Sequence, residues 1–91
     1  MERDMYYYVT DIYDENKRKW VEVEEHVSLD GTIEPIAVYW DDGRIFEISK
    51  IISVEDYRKE PFWGSTLYTV RIEGREKNLF RFQDKWFVVE K

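Results

Sequence analysis

The sequence predicts a small all-β domain, an antiparallel barrel of SH3-like or OB-like type with about six strands and at most one short helical turn. Three observations carry that expectation. Apolar and polar residues alternate with a period of two in several runs, the signature of half-buried strands. Asp-Gly pairs punctuate those runs at spacings suited to hairpins. Sixteen of the 91 residues are Phe, Trp or Tyr, which pack well on a pleated surface.

The tyrosine-rich segment 1–18 admits two readings, each packing it on the domain as strand or helix. Met5, Tyr8, Val9, Ile12 and Tyr13 fit helical spacing, whereas Tyr6-Tyr7-Tyr8-Val9-Thr10 has strand composition. A strand is preferred, because Asp14-Glu15-Asn16-Lys17 then makes a hairpin loop into the next element. That element, Lys19 to Ser28, sets Val21, Val23 and Val27 on one face and Glu22, Glu24 and His26 on the other, with Glu25 interrupting the apolar side at a strand end or bulge. Leu29-Asp30-Gly31-Thr32 forms a turn. Pro35 lacks an amide donor and should open the next strand, Ile36 to Trp40, or lie on an edge.

The clearest hairpin surrounds Asp41-Asp42-Gly43. A two-residue loop would oppose Val38 with Glu47, mixing apolar and charged residues on one face. A three-residue loop pairs Val38 with Phe46 and Ile36 with Ile48, gives Gly43 the left-handed bulge position, and turns Ile36, Val38, Trp40, Phe46 and Ile48 inward. Ser53-Val-Glu-Asp56 then matches a capping box, so the short helical turn is expected after Ile52. Ser65 to Glu73 alternates again. Asn78 to Phe82 and Trp86 to Glu90 make a last hairpin around Gln83-Asp84-Lys85, with aromatics inside and bases outside.

Composition bounds the rest. A chain this short buries about 60% of the surface its unfolded form exposes, so one domain, residues 1–91, is expected. Without cysteine there is neither a disulfide framework nor a thiolate metal site, and the fold must rest on packing. The acidic start Met1-Glu2-Arg3-Asp4 and the lack of any long apolar run predict a cytoplasmic protein with no membrane association. Net charge is −6, unevenly spread. Residues 1–45 hold twelve acids and five bases, while residues 46–91 hold eight acids and nine bases.

The ordered pattern Asp30-Gly31-x-Ile33-x-Pro35, Trp40-x-Asp42-Gly43-Arg44-x-Phe46-x-Ile48, Tyr68-Thr69-Val70-Arg71-Ile72-x-Gly74, Leu79-Phe80 and Trp86-Phe87-Val88 resembles a family of small uncharacterised single-domain proteins from Firmicutes. The resemblance covers roughly residues 19 to 90 and implies a stand-alone β domain. It implies no activity, because the family has none established, and no functional residue is carried over. The tyrosine-rich extension and the aromatic segment Tyr57 to Trp63 depart from the family pattern.

Chemistry-bearing residues are sparse. His26 is the single histidine and has no partners for a metal site or a catalytic triad. The close acid pairs read as a solvated strand face, Glu22 with Glu24, and as turn residues, Asp41 with Asp42. No phosphate cradle, dinucleotide fingerprint or nucleophile elbow occurs, so no enzyme, no metal and no cofactor is expected. The best candidate site is the loop carrying Tyr57, Arg58, Phe62 and Trp63, in which rigid aromatics beside bases suit a protein partner; self-association through the tyrosine-rich N-terminal segment into a homodimer is the alternative route. Against it stands the simpler reading that Phe62 and Trp63 fold back over an open barrel end. A second candidate is a single-stranded nucleic-acid surface on Arg71, Arg75, Arg81 and Lys85, interleaved with aromatics. The acidic balance of the chain weighs against nucleic acid. The expectation is a non-catalytic binding or protein-interaction module.

Overall fold

The computed structural model describes residues 13–90. Seven antiparallel strands make one curled sheet, a half-barrel: β1 (Arg18–Val27), β2 (Ile33–Tyr39), β3 (Ile45–Glu47), β4 (Lys50–Tyr57), β5 (Ser65–Ile72), β6 (Arg75–Phe82) and β7 (Lys85–Val89). Their order across the sheet is β3-β2-β1-β7-β6-β5-β4. Two meanders, β1 to β3 and β4 to β7, are therefore joined where β7 pairs with β1. The outermost strands, β3 and β4, are consecutive in the chain and separated by Ile48 and Ser49 alone. Ile48 N–H bonds to Ile36 O of β2, and Ser49 N–H bonds to Arg71 O of β5, each at 2.9 Å, so this link touches both ends of the rolled sheet.

The hairpin at Asp41-Asp42-Gly43 has the expected three-residue loop. Val38 pairs with Phe46 and Tyr39 with Ile45, and Gly43 takes φ 93°, the left-handed conformation a side chain would disfavour. Asp42 accepts from Arg44 N–H at 3.0 Å and from Arg44 Nε at 2.7 Å, which locks the loop. Val38 is buried, with Trp40, Phe46 and Ile48 packed against its cluster. Ile36 is the exception, being 42% exposed. Across β1, Glu24 pairs with Ala37 and Glu25 with Pro35, so the register slips past Ile36 and turns it outward. Glu25 thus lies at the bulge the alternation suggested. Val27, beyond the slip, is also exposed.

Two further elements differ from expectation. The capping box at Ser53 to Asp56 lies inside a strand, because β4 pairs with β5 along its length, Val54 opposite Tyr68 and Glu55 opposite Leu67. Sheet pairing outweighs a local helix signal worth about 1 kcal/mol. The one helical turn among the described residues is instead the 3-10 turn Glu15–Lys17, where a hairpin loop was expected, with Asp14 Oδ1 accepting from Asn16 N–H at 2.9 Å. The expected strand or helix over residues 5–13 lies, apart from Tyr13, outside the described residues. Strand β2 begins at Ile33, so Pro35 is inside it, fully buried at the irregularity rather than at its start.

Both faces of the sheet are covered. On the concave face Val38, Tyr68, Val70, Leu79 and Trp86 form one buried cluster, flanked by Val21, Val23 and Val88. Tyr68 Oη donates to Ile33 O at 3.0 Å, joining β5 to β2 across the interior. On the outer face Tyr57, Phe62, Leu67, Phe80 and Phe87 form a second cluster with Tyr13 against it. Here the expected faces are exchanged along β6, while on β7 Trp86 lies inside and Lys85 outside as expected. Phe80 and Phe82 point outward, whereas Arg81 shares the concave side with Leu79. Phe80 is nevertheless fully buried, because the loop after β4 lays Phe62 over it, with ring centroids at 5.4 Å from Phe80 and 4.9 Å from Phe87.

Phe62 is thus core and its neighbour Trp63, 57% exposed, is not. Phe62→Ala is expected to cost roughly 3–5 kcal/mol, and Trp63→Ala to stay within about 0.5 kcal/mol. Urea unfolding of the two variants checks this; equal losses would show that the loop does not roof the outer face.

Candidate functional site

The loop between β4 and β5 is held by its own backbone bonds: Phe62 N–H to Lys59 O, Gly64 N–H to Tyr57 O and Ser65 N–H to Phe62 O. Gly64, at φ 91°, makes the reversal that sends Phe62 inward, and a Cβ there would sit 3.8 Å from Phe82 Cε1. Of the four loop candidates, Tyr57 and Phe62 are buried, while Arg58 and Trp63 are exposed. Arg58 lies 3.5 Å from Asp56.

The exposed part of this loop joins a larger surface that the sequence reading missed. Trp20 is 47% exposed and stands opposite Phe87 on the outer face, its ring 5.2 Å away at a steep angle. Phe82, 37% exposed, pairs across the hairpin with Lys85. Lys85 Nζ lies 6.0 Å from the Trp20 ring, and the Arg18 guanidinium lies 4.9 Å from Trp20, 5.6 Å from Phe62 and 5.4 Å from Phe87. Arg18, Trp20, Lys85 and Phe82 therefore follow one another along the outer face, and Gly64 of the loop abuts Phe82, beside buried Phe62. Cations over aromatic faces within about 6 Å are attracted by the ring quadrupole, which orients them without neutralising them. Neither Arg18 nor Lys85 has an ion-pair partner among the described residues. A signal for Trp20 existed: it has the strand parity of Glu22 and Glu24, the residues assigned to the outer face.

The four nucleic-acid candidates are not brought together. Arg71 and Lys85 face outward, Arg71 lying 3.9 Å from Glu76. Arg75 and Arg81 share the concave parity of β6. Arg81 is held there: its Nε lies 3.5 Å from Glu25 Oε1, its guanidinium 5.7 Å from the Trp86 ring, and its Nη1 donates to Gln83 O. Glu25 Oε1 also accepts from Trp86 Nε1 at 2.7 Å. One carboxylate thus satisfies an indole and balances a guanidinium at one end of the concave face.

At the other end β6 and β7 separate beyond the Phe80–Phe87 pair. A cavity of about 1000 Å³ opens there, walled by Val38, Trp40, Phe46, Val70, Ile72 and Val88. Its rim carries Arg44, Arg75 and Lys77 but also Asp14, Glu73, Glu76 and Glu90, so charge does not favour an anion or a cation.

The acids and the histidine are dispersed. His26 is exposed opposite Glu34. Glu24 accepts from Tyr39 Oη at 2.9 Å, and that bond raises the Tyr39 phenol above its ordinary value. Asp41 holds Lys19 Nζ at 2.6 Å and raises the ammonium pKa. Among the described residues no group of three or more His, Cys, Asp or Glu comes together, and no helix is long and apolar enough to cross a membrane.

No protein-family model matches the chain, and no curated protein or solved structure matches it.

Two measurements test the local chemistry. Glu25→Ala leaves the Trp86 indole without its acceptor and the Arg81 guanidinium without its ion-pair partner, an expected loss of about 1–3 kcal/mol in chemical denaturation. Glu25→Gln, which keeps an acceptor for Trp86, should lose less. The Arg44 N–H bond holds the Asp42 carboxyl below its ordinary 3.8. A depressed carboxylate stabilises the fold above its unfolded pKa and stops doing so as pH falls through the folded one. The Tm gap between the protein and Asp42→Ala should be full at pH 7 and close in acid below 3.8; a gap unchanged at pH 2 would contradict the loop-locking role.

Proposed function

We propose that the domain is a non-catalytic protein-interaction module of the cytoplasm, and that its outer-face patch receives an acidic, aromatic-containing segment of a partner protein. The observation that carries this reading is exposed Trp20 beneath two cations, Arg18 and Lys85, that lack ion-pair partners among the described residues, with exposed Phe82 paired across the hairpin from Lys85 and exposed Trp63 in the adjoining loop. Rigid aromatics give large contact area at small entropic cost, and Trp and Arg are the residue types that dominate binding energy at protein interfaces. Arg18 and Lys85 add selectivity for carboxylates, since a basic segment would be repelled and a neutral one would leave them unpaired. Burial of Phe62 and Tyr57 supports the reading as well, because it fixes the loop that presents Trp63.

Selection from a library of random 12-residue peptides displayed on phage tests the proposal. Enrichment of sequences combining Asp or Glu with Trp, Tyr or Phe is expected. Their affinity should fall at least tenfold in Trp20→Ala and in Arg18→Glu, with little change in unfolding midpoint, and should weaken with salt. Peptides that bind equally well to both variants would sink the reading, as would a library with no enrichment.

A further inference from the structure

We infer that the free edge of β6 takes an extended segment of a partner protein as an added antiparallel strand, with acids opposite Arg75 and Lys77 and an apolar side chain entering the cavity between β6 and β7. This site is separate from the outer-face patch and does not depend on the reading of it.

The backbone supplies the first argument. Ile72 and Arg75 close the tight turn Glu73-Gly74, at φ 52° and 78°, so Arg75, and with it Lys77 and Leu79, exchange backbone bonds with β5. Glu76, Asn78 and Phe80 then direct their N–H and C=O groups the other way. Phe80 meets Phe87 there, and the pairing with β7 ends at that point. Strand β7 follows β1 instead, with Arg18 opposite Val89 and Glu90 N–H bonded to Lys17 O. Among the described residues no strand pairs with Glu76 and Asn78 on the side of the gap. The Asn78 side chain donates to Tyr13 Oη on the outer face, and its main chain faces the gap. A row of donors and acceptors at strand spacing is complementary to a second extended main chain.

The side chains supply the second. Arg75, Lys77 and Leu79 share the concave side of β6, and both cations are exposed without an ion-pair partner among the described residues. The rim of the cavity is balanced in charge as a whole, but its signs are sorted. Glu76 points outward beside Arg71, 3.9 Å away, and Asp14 and Glu90 stand on the β1–β7 side of the gap. Opposite charges facing each other across a strand pair stabilise it and like charges oppose it, so the edge selects acids opposite Arg75 and Lys77. The next residue of the segment on the same side lies opposite Leu79, over the cavity walled by Val70, Ile72 and Val88, where an apolar side chain fits. From its N-terminus the segment therefore reads apolar, any residue, acid, any residue, acid. Main-chain bonds hold it, and these alternate side chains choose it.

A capped hexapeptide of isoleucine, threonine, glutamate, lysine, glutamate and threonine is the probe, added to the full nitrogen-15-labelled chain. At saturation the Glu76 and Asn78 amides should exchange with solvent at least tenfold more slowly, while those of Lys77 and Leu79, already bonded to β5, change little. Methylating the peptide nitrogens of the first threonine and the lysine, which face β6, should weaken binding at least tenfold; methylating those of the two glutamates should not. Arg75→Glu combined with Lys77→Glu should abolish binding with little change in unfolding midpoint, and a peptide with lysines for its glutamates should restore it. Equal affinity for both methylated peptides would reduce the contact to side-chain attraction and overturn the inference. Signal changes confined to the Trp20 and Trp63 indoles would move the peptide to the outer face and overturn it as well. Slow exchange at Glu76 and Asn78 before any peptide is added would show the edge already filled, by the chain itself if independent of protein concentration and by a second copy if it grows with concentration, and either result removes the inference. So does a peptide that does not bind.

Discussion

The connection between β3 and β4 governs this molecule. Seven strands lying flat at ~4.8 Å spacing would hold their outermost members roughly 29 Å apart. From Glu47 to Lys50 the chain takes three Cα steps, about 11 Å at full stretch. The sheet must therefore roll until its edges come within reach, and the bonds from Ile48 to β2 and from Ser49 to β5 mark where they do. Rolling brings β2 and β5 face to face, which lets Tyr68 reach Ile33 and lets Val38 pack with Val70 in one cluster. The same curvature gives the outer face its convexity, and an uncovered convex apolar face is costly for so small a domain.

The loop after β4 answers that cost. Phe80 and Phe87 stack on the outer face at 4.9 Å, and Phe62 and Tyr13 close over them. Beyond the reach of this cover lie Trp20 and Phe82, and next to the cover lies Trp63. The proposed interaction surface is thus the margin of the second core. Its aromatic character follows from the packing that stops there, and its charge follows from Arg18 and Lys85 lying over rings that hold them in place.

What was legible in the sequence follows from which physical signals were unopposed. The register of the Asp41-Asp42-Gly43 hairpin was readable because alternation and turn chemistry agree there. Strand β4 was not, because its capping box speaks for a helix and its largely exposed residues carry little apolar period. The faces of β6 were misread by applying a one-sided alternation to a two-sided sheet. Leu79-Phe80 and Trp86-Phe87-Val88-Val89 are continuous apolar runs, which signal burial on both faces. In the candidate loop the sequence located the aromatics but could not separate Phe62 from Trp63, since a loop has no period to assign their directions.

Strand β6 shows how little sequence separates a structural cation from a free one. Arg75, Lys77, Leu79 and Arg81 share its concave face, yet only Arg81 is enclosed. The difference comes from the neighbouring meander. At the bulge in the β1–β2 pairing, Glu25 keeps the inward parity of Val21 and Val23, and that places one carboxylate where Arg81 and Trp86 converge. A half-buried guanidinium without such a partner would carry a desolvation cost of several kcal/mol. The irregularity skips Ile36 on β2 and leaves the parity of β1 undisturbed, so Glu25 stays on the concave side with Val21 and Val23 while Ile36 is turned out. The inward side of this strand pair is therefore filled by a polar cluster at one end and by apolar packing along the rest.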